Sequence, residues 1–232
     1  MKRLATVSMV CAALAFAVSA FAQGGAGTIS GTVKLEGAAP TPKKIEITKD
    51  KEVCGLKSHF EQDLVVGSGG GIQYAVVSLT GIKAASKPQE VTFDQKGCQY
   101  DPHVLAFPAG STVKILNSDG ILHNIHTYST KNPSFNMAQP KFKKVITVTE
   151  AQPELIKVTC DAHGWMSGWW YVTDNPYYAV TDENGNFTIK DVPPGDYTIQ
   201  VWQEKLAPAG KELTQKVSVK AGAAATANFS LK

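Results

Sequence analysis

The sequence predicts an all-β protein of sandwich type, and three observations predict it. Most segments alternate apolar and polar residues with period two and are rich in Val, Ile, Thr, Tyr and Phe. Turn chemistry separates them, at Asn117-Ser118-Asp119-Gly120, Asp182-Glu183-Asn184-Gly185 and Pro193-Pro194-Gly195-Asp196. No segment shows a long, capped 3.6-residue period, and 20 Gly and 12 Pro against 4 Met favour a turn-rich chain over a helical bundle.

The expected strands follow in order. Thr28–Lys34 alternates around Ile29 and Val33, and Ala75–Leu79 is a nearly continuous apolar run. Thr112–Leu116, Val145–Val148, Leu155–Cys160 and Trp169–Val172 supply the middle of the chain. Tyr177–Val180 and Asn186–Lys190 flank the Asp182–Gly185 turn, and Tyr197–Trp202 follows the Pro-Pro-Gly turn. Leu213–Val219 and Ala225–Leu231 complete the set. Gly67–Gly71 reads as a flexible loop.

Residues 1–22 read as a secretory signal peptide. Lys2 and Arg3 form a charged start, Leu4–Val18 an apolar stretch and Ala20-Phe21-Ala22 an A-x-A cleavage site, so the mature chain would begin at Gln23. A buried helix or a membrane anchor is the alternative. Cys11 hints at a lipoprotein, but Ser8 and Val10 do not suit the flanking positions of such a site. Export implies a periplasmic or secreted location and an oxidising compartment. The formal charge is +3, and two of those positive charges are Lys2 and Arg3, leaving +1. That balance excludes a strongly basic nucleic-acid binder. No apolar run after residue 22 is long enough to span a membrane as a helix.

The mature chain carries Cys54, Cys98 and Cys160. An odd count in an exported protein suggests one disulfide and one thiolate with a task, and count alone does not say which two pair.

Residues 178–201, YAVTDENGNFTIKDVPPGDYTIQV, resemble the prealbumin-like domain related to the regulatory domain of carboxypeptidases. The resemblance rests on a TD-x-x-G-x-F hairpin followed by a PPG-x-Y turn. Residues 27–40, GTISGTVKLEGAAP, are similar to the opening strand and turn of the same family, and Val76–Ile82 would supply its next strand. The expected organisation is therefore a prealbumin-like sandwich from residues 23–88 and 176–232, with a second β-sandwich, 89–175, inserted between them. The rival is two modules in series.

The middle holds the residues suited to chemistry. They are Asp101-Pro102-His103-Val104, Ile121-Leu122-His123-Asn124-Ile125-His126 and Thr159-Cys160-Asp161-Ala162-His163-Gly164-Trp165-Met166. On a straight strand, residues three apart point to opposite faces. Cys160, His163 and Met166 converge only if their segment is a tight loop between strands, as Gly164 and the flanking alternation suggest. One Cys, one His and one Met need a second His to complete a His₂Cys site with a weak axial Met. That set suits copper, since thiolate favours Cu(I) and imidazole accepts both oxidation states.

The middle region resembles a cupredoxin, the blue (type 1) copper family. The spacing C-x2-H-x2-M is similar to that of amicyanin, and His123-Asn124-Ile125 matches the family's H-N-[VI] motif for the first ligand. The resemblance implies a Greek-key sandwich with His123, Cys160 and His163 as equatorial copper ligands, Met166 as the axial one and Asn124 tying the ligand loops together. It also implies Cu(II)/Cu(I) electron transfer through the outer edge of the His163 ring, with a docking patch near Trp165 for a redox protein such as a cytochrome or a dehydrogenase. Three features depart from the family. LIKVTC lacks aromatic residues before Cys160, Thr127–Lys144 is long and polar, and a minimal cupredoxin has no flanking sandwich.

Other readings stand beside these. Cys160 could pair with Cys54 or Cys98. If it is a ligand instead, Cys54–Cys98 is the natural bridge. His126, three residues from His123, would face away on a regular strand, and His103, at the start of a strand expected after Pro102, is either structural or partly exposed, or a third imidazole near the metal. His59 reads as inert. Trp165, Trp169 and Trp170 suit core packing or a docking surface. No G-x-S-x-G, H-E-x-x-H or phosphate-binding glycine loop marks an enzyme. The function expected is electron transfer, with copper buffering or delivery, or a structural or adhesive envelope role, as alternatives.

Overall fold

The computed structural model describes residues 25–232, so the expected signal segment 1–22 lies outside the described residues. The described residues are all-β, with one four-residue helix among them, Lys51–Cys54. Four sheets of four or five strands account for most of it.

Two of these sheets join the ends of the described chain. Gly27–Leu35 runs antiparallel to Asn186–Val192 and parallel to both Ala224–Thr226 and Phe229–Leu231. Facing it, Tyr178–Val180, Val76–Thr80, Gly195–Trp202 and Leu213–Val219 form an antiparallel sheet in that order. Between them lies a core that includes Ile29, Val33, Val77, Leu79, Ile189, Ile199 and Val201, the inward members of the alternation seen in sequence. Gly185 sits at φ +75 in the turn before Asn186, and a Cβ there would lie 2.3 Å from the Val33 carbonyl oxygen, so this turn requires glycine on both counts.

The middle of the chain builds the other two. One is Val145–Glu150, Ser111–Asn117, Glu90–Gln95 and Tyr100–Asp101; the other is Asn136–Gln139, His123–Tyr128, Glu154–Thr159, Ser167–Thr173 and Val104–Pro108. Their core centres on Trp170, which is fully buried and has Phe93, Phe107 and Phe135 around it with ring centroids 5.5–6.3 Å away. A third, smaller cluster joins the two cores. Val76 and Trp202 from the outer unit meet Val104, Trp169 and Tyr171 from the middle.

The structure differs from the sequence expectation in three places. Glu90–Gln95, His123–Tyr128 and Asn136–Gln139 are strands that the expected set omits, whereas Val104–Pro108 is the strand expected after Pro102. Ala225–Leu231 is two strands, interrupted where Ala227 N–H turns to the Ser30 carbonyl. Residues 46–60, assigned from sequence to the outer unit, place Ile47, Val53 and Cys54 against the middle core.

One buried carboxylate in the middle unit makes a pH-dependent contribution. Glu150 is 1% exposed and its Oε2 has no partner among the described residues. Burial, reinforced by the Glu154 charge, pushes its carboxyl up to about 7. The unfolded chain releases this proton near the ordinary glutamate value of 4.5, so the folded state is penalised progressively as pH rises from there to about 7. Glu150→Gln is expected to raise stability by up to roughly 3 kcal/mol at pH 8, with the gap closing toward pH 4.5. Urea unfolding at pH 4.5, 6 and 8 measures it, and a gap independent of pH would refute it.

Candidate metal centre

Two loops at one end of the middle sandwich are brought together by strand register. Glu154–Thr159 and Ser167–Thr173 pair antiparallel with Thr159 opposite Ser167, so Cys160–Met166 is the loop between them. It is closed from within: Cys160 N–H donates to the Met166 carbonyl (3.2 Å) and Met166 N–H to the His163 carbonyl (2.9 Å). Next to it, His126 pairs with Thr159, which sets the start of the strand His123–Tyr128 beside Cys160. The approach to His123 is fixed by buried amides. Asn117 Nδ2 donates to the carbonyls of Ile121 and Gln139, each at 2.8 Å, and Gln95 Nε2 donates to Gln139 Oε1 at 2.6 Å.

His123, Cys160 and His163 then converge, with one donor atom of each lying within 4.8 Å of the others. The two imidazoles face each other through Nδ1 at 3.0 Å, and Cys160 Sγ is 3.8 Å from His163 Nδ1. Both imidazoles are fully buried and Cys160 is 1% exposed.

The outer nitrogens are each committed to a carboxylate. His123 Nε2 meets Asp119 Oδ2 at 2.9 Å, and His163 Nε2 meets Asp50 Oδ2 at 2.8 Å. Each ring therefore carries a proton on Nε2. The 3.0 Å contact between the inner nitrogens needs one further proton, held on His123. Burial by itself would lower the His123 value, but the Asp119 carboxylate and Cys160 outweigh it and raise it to about 9. Burial and the neighbouring His123 charge lower His163. Burial opposes ionisation of Cys160, yet hydrogen bonding from His123 and Asn124 brings its thiol below the ordinary value. Asp119 is itself held low, against the effect of burial, by His123 and by the backbone N–H groups of Cys98 and Gly97.

Asn124 ties the two loops. Its Oδ1 accepts from the backbone N–H of Asp161 (2.6 Å) and Ala162 (3.1 Å), and its own N–H points to Cys160 Sγ at 3.5 Å. Tyr100 hydroxyl holds its carbonyl at 2.8 Å.

The remaining candidates are distributed as follows. Met166 is 1% exposed and packs in the same core as Cys160. His126 faces away, stacks on Tyr128 and bonds Asp161 Oδ1 at 3.1 Å. His103 is not brought to the group. It lies between the two cores, with Nδ1 on the Ser167 carbonyl (3.0 Å) and Nε2 on Glu204 (2.8 Å). His59, read as inert, is buried and bonds the Cys54 carbonyl at 2.8 Å. Cys54 and Cys98 form a disulfide, which leaves Cys160 as the free thiol among the described residues. Trp170 is core and Trp169 packs on Trp202, so neither forms a surface patch.

The expected electron port requires correction. The His163 ring has no exposed edge, and Asp50, within residues 46–60, occupies its outer nitrogen. Asp50 and Asp119, which hold the outer nitrogens of this group, are the residues that the sequence reading passed over. Asp119 stood in view, four residues before His123, within a segment read only as a turn. Asp50 is 113 residues from His163 and had no local signal.

The family model fn3_3, described as polysaccharide lyase family 4, domain II, matches residues 144–227, a span short of half the chain. That span covers most of the tail and the last strands of the middle unit, and the match does not confirm the prealbumin-like resemblance. Among curated proteins, none matches the chain. Similar solved structures include a purple cupredoxin from Nitrosopumilus maritimus, at 21% identity and TM-score 0.31, covering 36% of this chain and 99% of that one. A copper-containing nitrite reductase from Thermus scotoductus SA-01 is 24% identical at TM-score 0.32, covering 41% of this chain and a quarter (25%) of that one. A variant of amicyanin in its reduced Cu(I) form is 17% identical at TM-score 0.33, covering 42% and 98%.

Proposed function

We propose that this chain is a copper-binding electron carrier, with His123, Cys160 and His163 as ligands to a single copper ion and Met166 as a weak fourth. The observation that carries the reading is the convergence of two imidazole nitrogens and one thiol, all buried, in a loop pair whose outer contacts are already made. The separations suit a small tetrahedral ion. Bond lengths of about 2.0 Å to nitrogen and about 2.3 Å to sulfur require N···N near 3.3 Å and N···S near 3.5 Å. The observed values are 3.0 and 3.8 Å. A cation between the rings would take the place of the proton they share, and both imidazoles would then be neutral with Nδ1 free to donate. The donor set, with one thiolate, two imidazoles and no carboxylate, favours copper over magnesium, calcium or manganese, and a thioether beside it is a poor zinc ligand.

When bound, copper supplies reversible one-electron chemistry. The residues hold the site still. Asp119 and Asp50 fix the tautomers, and Asn124 locks the spacing of the two loops, so little needs to move when charge changes. We read the chain as a carrier without an enzymatic step of its own, acting in the periplasm or outside the cell with a redox protein such as a cytochrome or a dehydrogenase. No helix among the described residues is long and apolar enough to cross a membrane.

The test is to add Cu(II) to the metal-free mature chain, remove the excess and record visible and EPR spectra. An intense thiolate-to-copper band with narrow hyperfine splitting is expected. A colourless protein or an ordinary tetragonal spectrum would refute the type 1 reading. The burial of both imidazoles favours a second reading, copper buffering or delivery, since no ring edge reaches the surface. Fast reversible voltammetry supports the carrier, and ready copper transfer to a chelating partner supports the buffer.

A further inference from the structure

The segment that buries His163 is built as a closed loop. It leaves at Lys44–Ile45 and returns at His59–Phe60, and these two short strands pair with each other, Ile45 opposite His59. Between them, two side chains bond the metal loop and one is joined to Cys98. Ile47 and Val53 pack on the middle core. Lys49 Nζ reaches the Ala162 carbonyl at 3.3 Å, and Asp50 Oδ2 reaches His163 Nε2 at 2.8 Å. Four residues on, Cys54 is covalently joined to Cys98, and the Cys54 N–H returns to the Asp50 carbonyl at 2.8 Å.

Asp50 has backbone angles φ 47 and ψ 46, the left-handed region. Asp and Asn are among the few side-chain-bearing residues that enter it readily. Here that conformation starts the single helical turn that carries Cys54, and the Asp50 carboxylate rests on the imidazole. The other end of the latch reaches the second imidazole: Cys98 N–H donates to Asp119 Oδ2 (2.8 Å), and the same oxygen bonds His123 Nε2. One disulfide thus links the backbones that position both carboxylates.

We propose that residues 46–60 are a latched cover over the metal loop, that Asp50 is its positioning residue, and that metal ions and solutes reach Cys160 and His163 only when this cover opens. The inference rests on the reading of His123, Cys160 and His163 as ligands. In it Asp50 does two things: it keeps the His163 proton on Nε2, leaving Nδ1 directed inward, and it seats the cover. The disulfide limits how far the cover travels, because Cys54 remains fixed to Cys98 while the Asp50 contact breaks.

The test uses the metal-free full mature chain and follows alkylation of Cys160 by iodoacetamide, resolved by peptide mass spectrometry. Asp50→Gly removes the carboxylate without backbone strain, since glycine accepts φ +47. Asp50→Asn keeps an acceptor for Nε2–H and tolerates the same backbone. Asp50→Gly is expected to speed alkylation at least tenfold, and Asn to restore a rate near that of the parent. The nitrogen-15 shifts of the His163 ring report the tautomer, which is expected to stay fixed in the Asn variant and to be released in the Gly variant. Denaturant curves on both variants separate cover opening from global unfolding, because an opening-limited rate does not follow the change in overall stability. Equal rates in parent, Gly and Asn chains, or a parent rate equal to that of an exposed thiol, would overturn the proposal. The outcome does not depend on copper. A chain that shows the expected alkylation pattern but binds no copper refutes the ligand reading and leaves the cover standing. A chain that binds copper while Asp50→Gly changes neither alkylation nor copper release to a chelator refutes the cover alone.

Discussion

Replacing Cys160 with serine is expected to abolish the visible charge-transfer band of the copper-loaded protein and to lower copper affinity by at least about 100-fold, more than the loss of an outer-shell partner produces. Cys160 is the free thiol among the described residues, and it sits 3.8 Å from one candidate nitrogen ligand. A serine hydroxyl does not ionise at neutral pH and is a hard, weak donor to copper, so the transition from sulfur has no counterpart. The fold should survive. The substitution is nearly isosteric, the Asn124 N–H can donate to the new oxygen, and the cost of burying one hydroxyl is about 1–3 kcal/mol. The measurement is a visible and EPR spectrum of the variant beside the parent under the same copper load. An unchanged spectrum would remove Cys160 from the ligand set and the type 1 assignment with it.

Removing the Cys54–Cys98 disulfide is expected to cost the protein about 4 kcal/mol by the chain-entropy estimate for a closed loop of this length, 44 residues of separation. The bridge is fully buried and joins the covering segment to the middle core, so both the unfolded chain and the local packing feel its loss. Urea unfolding of a Cys54→Ala, Cys98→Ala variant against the oxidised parent measures the difference. A loss below about 1 kcal/mol would mean that the segment is held by packing and hydrogen bonds alone.

The sequence made some of this legible and hid the rest for identifiable reasons. The loop Cys160–Met166 could be read because its chemistry is local: three donors in seven residues, bounded by alternating strands. Strands such as Leu213–Val219 and Tyr197–Trp202 were visible because one face is buried and the alternation survives. Glu90–Gln95 and Val104–Pro108 were harder. Each pairs in parallel with a strand that is not its hairpin neighbour, Ser111–Asn117 and Ser167–Thr173 respectively, and the hairpin that joins Glu90–Gln95 to Tyr100–Asp101 is only two residue pairs long. The same holds at the centre. Asn124 was legible beside His123, whereas the Asp50 contact depends on a segment more than 100 residues away that the family resemblance had assigned to a different unit. His103 was ambiguous for an equivalent reason, since its partner Glu204 lies 101 residues further on.

The pairing of Gly27–Leu35 with Ala224–Thr226 and Phe229–Leu231 has a consequence in time. The outer core cannot close until the far end of the chain is available, and Gly27–Leu35 must wait as an unpaired parallel edge. The strands of the middle unit all fall between Glu90 and Thr173, so that unit can condense first. The end that carries His123, Cys160 and His163 can then be complete before the outer sandwich exists, and the outer sandwich assembles on a neighbour that has already folded.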